Sequence, residues 1–206
     1  MVAISHAQWQ SLGMDTHRRS HQEIACQQVL VEDFSVFSIQ WSTLPGAASG
    51  LTPRSLWDRY LSHIRRATRS IIQPVTSAHG IEFRLRATRW SLISFLTPRE
   101  EGNAIIMPIC GGLLVQKCPD KPGELRFMVE PGPTGTRVTV QLSDYRPRIL
   151  GAPPLSKVRY WLYRLTQAAI HRWVTVRFLV LLCRDLSGVR PCVTVRDGQV
   201  RQGHPL

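Results

Sequence analysis

Three stretches in the middle of this chain alternate apolar and polar residues with a period of two, and one long apolar segment follows them. Ile81-Glu82-Phe83-Arg84-Leu85-Arg86-Ala87 is apolar at every odd position and polar at every even one. Residues 124–130 and 136–143 repeat the pattern. Such alternation predicts strands with one dry face and one wet face. Pro153-Pro154-Leu155-Ser156 then opens a largely apolar segment that runs to about Leu186. A helix of that length is the natural cover for the dry face. The expected class is therefore α+β, a curved antiparallel sheet packed around a long C-terminal helix.

Other punctuation fills in the order of elements. Residues 1–33 are polar, and Asp15-Thr16 predicts a capped helix through about Leu30, so this stretch is expected to be a partly helical appendage. Residues 34–41 alternate as a first strand. Thr52-Pro53 is a helix start, with a capping hydroxyl and then proline at the first helical position. Leu56, Trp57, Tyr60, Leu61, Ile64 and Ala67 follow at spacings of three and four and mark its buried face. Further strands are expected at about 81–89, 90–96, 103–117, 124–130 and 136–146. Pro108 and Gly111-Gly112 predict a bulge, an edge position or a sharp bend in the third of these. Asp197-Gly198 predicts a small C-terminal hairpin within 189–206. The main domain is then 34–188.

Composition narrows the function classes. With 43% hydrophobic and 19% charged residues, the 206-residue chain has ample core material. Its net charge of +12 comes from 23 Arg and only 3 Lys. A basic surface attracts polyanions, so a nucleic acid or an anionic membrane surface is the alternative class of partner. Arg84, Arg86, Arg126 and Arg137 share the outward parity of their strands, but the aromatics mostly take the inward one. Base stacking wants both on one face. Cys26, Cys110, Cys118, Cys183 and Cys192 are odd in number and lack CxxC spacing, which points to neither a disulfide framework nor a zinc cluster. No secretory leader is visible and the longest apolar run is far too short to span a bilayer, so a cytoplasmic location is expected.

Gly123-Glu124-Leu125-Arg126-Phe127-Met128-Val129, then Gly135-Thr136-Arg137-Val138-Thr139-Val140, then Tyr145-Arg146-Pro147-Arg148-Ile149-Leu150-Gly151 lead into the final helix. In this order of elements the chain resembles the START-like, helix-grip (SRPBCC-type) superfamily over about residues 34–186. The resemblance implies a sheet gripping a helix around an apolar cavity for lipids, polyketides or other hydrophobic ligands. It carries over no catalytic residue and no cofactor.

The expected function is noncatalytic binding of a hydrophobic or amphipathic small molecule between sheet and helix. Phe127 and Leu142 from the sheet, with Trp161, Leu165, His171 and Arg172 from the helix, are the expected ligand-binding residues. Arg172, placed inward, would pair with an anionic head group. An enzyme would need Asp144, Tyr145 and His171 to converge on one cavity. His17 and His21 have i, i+4 spacing, but Arg18 and Arg19 between them oppose a metal cation, so no metal site is expected.

Overall fold

The computed structural model describes residues 21–45, 50–116, 118, 121–151, 154–188 and 190–206. Its strands are β1 (His21–Leu30), β2 (Val36–Pro45), β3 (Ile72–Ser77), β4 (Gly80–Leu85), β5 (Ser91–Phe95), β6 (Arg99–Glu101), β7 (Ala104–Gly111), β8 (Glu124–Gly132), β9 (Gly135–Tyr145), β10 (Cys192–Asp197) and β11 (His204–Pro205). Helix α1 (Pro53–Ala67) follows β2. The C-terminal helix is composite: α2 (Lys157–Tyr163), a π-helical turn (Arg164–Ala168) and α3 (Ala169–Ser187).

The strands form one open curved sheet in the order β10-β1-β2-β9-β8-β7-β5-β4-β3, with β11 against β1 and β6 against β7. All pairs are antiparallel except β1–β10. Both helices lie on one face, α1 over β7 and β8 and α3 over β1 and β2. This is the expected α+β arrangement of a curved sheet packed around a long C-terminal helix, with the one parallel pair β1–β10 added to it.

Two local expectations are corrected. Residues 21–30 form a strand, not the end of a helix. Alternate side chains at Gln22, Ile24 and Cys26 are buried, but the polar Gln22 hides the period in the sequence. Its Nε2 donates to Ser42 Oγ and to the Leu179 carbonyl, both at 3.2 Å, which makes an inward glutamine tolerable. Gln28 likewise donates to the Ala168 carbonyl of the π turn (3.2 Å), so β1 ties the helix to the sheet at two heights. The Asp197-Gly198 step makes no hairpin, because β10 runs parallel to β1 and β11 antiparallel to it. Strand β3 is not among the expected strands, because Ile72-Gln73-Pro74-Val75-Thr76-Ser77 does not alternate and holds a proline.

Other local signals hold. Thr52 caps α1, accepting from the Ser55 amide while Ser55 Oγ accepts from the Thr52 amide (3.1 and 3.0 Å), a capping box with serine in place of the usual acid. Of the alternatives expected around Pro108 and Gly111-Gly112, the bulge is present: Ser94 pairs with Gly111 and Phe95 with Ile109, so the β5–β7 register shifts there, and Gly112 sits at φ +120°. Helix α3 ends on Gly188 in the left-handed region (φ 70°). No helix among the described residues is long and apolar enough to cross a membrane.

The core is densest where α1 meets the sheet. Trp57 and Tyr60 pack on Phe127 with ring centroids 5.2 and 4.9 Å apart, and Tyr60 meets Phe178 edge-on at 5.1 Å. His63, also buried there, pins the two helices together through Nε2 and the Val174 carbonyl (3.1 Å).

Candidate functional site: an uncharged chamber between sheet and helix

Beyond this aromatic plug the space between the sheet and the helices is not filled. A cavity of about 440 Å³ lies there, with Tyr60 and Ile64 of α1, Phe83 of β4, Leu92 and Ile93 of β5, Leu125 of β8, Leu142 and Tyr145 of β9, and Tyr163, Gln167, Ile170, His171 and Val174 of the C-terminal helix in its wall. Small-molecule pockets run from roughly 300 to 1,000 Å³. The volume is about three times the ~150 Å³ void that holds benzene in an engineered core. Ile170 lines the cavity and is also 57% exposed, so it stands at the mouth.

Among the described residues no Asp, Glu, Lys or Arg lines this chamber, and its titratable groups are neutral near pH 7. Burial lowers the His171 imidazole to about 4 and pushes the Tyr60 hydroxyl up to about 12, with Thr175 pulling the other way. Burial raises Tyr145 as well, and burial together with neighbouring Tyr145 raises Tyr163. The polar end is built from few groups. Tyr145 donates to the Leu114 carbonyl (2.9 Å) and lies 3.3 Å from Gln167 Oε1. Nε2 of His171 is buried with no hydrogen-bond partner among the described residues. An orphaned buried nitrogen costs about 1–3 kcal/mol.

Of the six side chains expected to bind ligand, Leu142 and His171 line the chamber. Phe127 is fully buried in the aromatic plug instead. Trp161 (52% exposed) and Leu165 (69% exposed) point to solvent. The π turn explains both. It adds a residue to one turn, and one residue of rotation is about 100°, so Tyr163 takes the inward place and Trp161 and Leu165 swing out. Arg172 lies outside the chamber, its Nη2 3.6 Å from Asp197 Oδ1, so the expected cationic partner for a head group is absent from the wall. Tyr163, Gln167 and the β5 residues were missed. The alternation of Ser91-Leu92-Ile93-Ser94 is too weak to show which side faces inward.

The catalytic constellation does not assemble. Tyr145 and His171 share the chamber, but Asp144 is next to Tyr145 in the strand and faces away, held by Lys121 Nζ at 2.8 Å. His21 belongs to a strand and its Nε2 meets Thr194 Oγ1 (3.0 Å); His17 lies outside the described residues. Among the described residues no three metal-ligating side chains cluster. On the outer sheet face Arg84 pairs with Glu82 (2.8 Å) and Arg126 with Glu124 (3.0 Å), so the strand arginines are partly neutralised by their own neighbours.

No family model matches this chain, and no curated protein does. Among solved structures it is similar to CalU16 from Micromonospora echinospora in two determinations. The crystal structure aligns at 14% identity over 59% of this chain and 67% of CalU16, with a TM-score of 0.33. The solution structure aligns at 13% identity over 62% of each chain, again with a TM-score of 0.33. At that level of likeness, ligand and activity rest on the chamber itself.

Proposed function

We propose that this protein is a noncatalytic binder of a neutral, mainly apolar small molecule held between the sheet and the C-terminal helix. The observation that carries the reading is a chamber of about 440 Å³ with no charged side chain among the described residues of its wall, and with His171, whose buried Nε2 has no hydrogen-bond partner among the described residues, in that wall. Burying an isolated charge in such surroundings costs far more than burying apolar surface gains. The ligand class is therefore neutral, with one hydrogen-bonding group for the His171–Tyr145–Gln167 end and hydrocarbon or ring surface for the rest. An amphipathic ligand fits only with its ionised end left outside the mouth.

A titration with a neutral naphthylamine fluorophore tests this. The protein should bind the probe saturably, one per chain, with a blue-shifted emission. Leu142→Trp, which fills the chamber from β9, should weaken binding about tenfold or more while the chain stays folded. A sulfonated analogue of the probe should bind about tenfold more weakly than the neutral one. Equal binding of neutral and sulfonated probes, or full binding by Leu142→Trp, would refute the assignment.

A further inference from the structure

The C-terminal helix is apolar on both sides, and only one side is used. Inside, Tyr163, Val174, Phe178, Leu179 and Leu182 are buried. Outside, Val158, Trp161, Leu162, Leu165, Ile170 and Trp173 are all exposed. Up to and into the π turn, residues 158, 162 and 165 follow one another at spacings of four and three. After it, 170 and 173 do the same, so the exposed groups make a ridge along the rod. Leaving such a ridge in water is costly, and contiguous exposed apolar surface marks a contact site.

Charge indicates what covers it. From Lys157 to Ser187 the composite helix contains six Lys and Arg and one acid, Asp185. Two arginines of this stretch lie over the ridge tryptophans, Arg164 at 5.1 Å from the Trp161 ring and Arg177 at 5.2 Å from Trp173. Arg177 also enters the wall of a cleft of about 270 Å³ where Arg59, Arg66 and Arg184 gather with Asp185 as the one carboxylate. Arg184 is paired with Asp185 (3.4 Å) and Arg172 with Asp197 (3.6 Å), whereas Arg164 and Arg177, the two on the ridge tryptophans, have no carboxylate partner among the described residues. A second copy of this chain placed face to face would bring those cations against one another.

We propose that the outer face of the C-terminal helix docks this protein on a bilayer surface carrying anionic phospholipid. An interfacial helix of this kind sinks tryptophan and leucine to the headgroup–acyl boundary and leaves arginine among the phosphates. Ile170 belongs both to the ridge and to the chamber mouth, so docking turns the mouth toward the lipid. The inference concerns the outside of the helix and does not depend on the chamber holding a ligand.

Vesicle sedimentation of the full chain tests it. Partition onto phosphatidylcholine–phosphatidylserine vesicles (roughly 70:30) should exceed that onto phosphatidylcholine alone by about tenfold or more, and should fall at least about fivefold when salt is raised to about 0.5 M. Leu162→Gln with Leu165→Gln, two solvent-facing positions outside the chamber wall, should leave melting unchanged and lower partition about tenfold. Arg164→Gln with Arg177→Gln should abolish the preference for anionic vesicles. Leu142→Trp, which fills the chamber, should dock like the parent, so failure of the ligand reading leaves this one standing. Failure to sediment with either vesicle would overturn the proposal, as would equal partition onto both. So would undiminished docking by the leucine variant, or a lipid-free dimer that the leucine variant breaks, which would assign the ridge to a second copy.

Discussion

His171 concentrates the chemistry of the chamber in one side chain. Its imidazole titrates near 4 because the charged form has lost its water. In the unfolded chain it takes up a proton near its ordinary value of about 6.5. As pH falls from there toward 4, the unfolded state binds more protons and stability drops. His63 adds to the same acid limb, lowered by burial and by Arg177 and Arg66. We expect His171→Leu to flatten part of that limb in melting curves taken across this pH range, with stability at pH 7 kept or raised because an orphaned polar atom is gone. The same change should weaken probes that carry a hydrogen-bonding group about fivefold, and leave purely hydrocarbon probes nearly unaffected. An unchanged acid limb would show that His171 is solvated. His171 was legible in the sequence as the one histidine of a long helix. Its neutrality was not, because desolvation depends on residues brought from β4, β5 and β9.

At the scale of elements, two short departures from regularity set where the chamber is. The π turn rotates α2 against α3, and apolar residues all round the helix leave the sequence unable to show which side is inward. Gly112 does comparable work on the sheet. With φ at +120°, a Cβ there would lie 2.4 Å from the Leu92 carbonyl oxygen and 2.7 Å from Ile93 Cα, against backbone that cannot yield cheaply. Gly112→Ala should cost about 2 kcal/mol or more in chemical denaturation and should also weaken probe binding, because Leu92 and Ile93 line the chamber. A variant as stable as the parent would mean that the strand end relaxes freely. The glycine pair was readable as a bend. Its role in aligning β5 was not, because that contact joins residues about 20 apart through the intervening β6–β7 turn.

Across the whole molecule, the period-two strands and the capped helix α1 were plain from local pattern. Polar side chains facing inward concealed β1, and non-local pairing to β1 replaced the expected C-terminal hairpin. The result is a two-layer body with a solid aromatic plug around Phe127 at one end and a void at the other. Of its outward arginines, Arg84 and Arg126 are paired with glutamates, while Arg164 and Arg177 on the helix lie over tryptophan rings with no carboxylate partner among the described residues. The ligand reading needs the void to survive in solution and to accept a guest. A crystal structure of the protein grown with the neutral naphthylamine probe tests that most directly. Probe density is expected among Phe83, Leu142 and His171, with its polar atom at the His171–Tyr145–Gln167 end. Side chains closed over that space, with the probe elsewhere or absent, would contradict it.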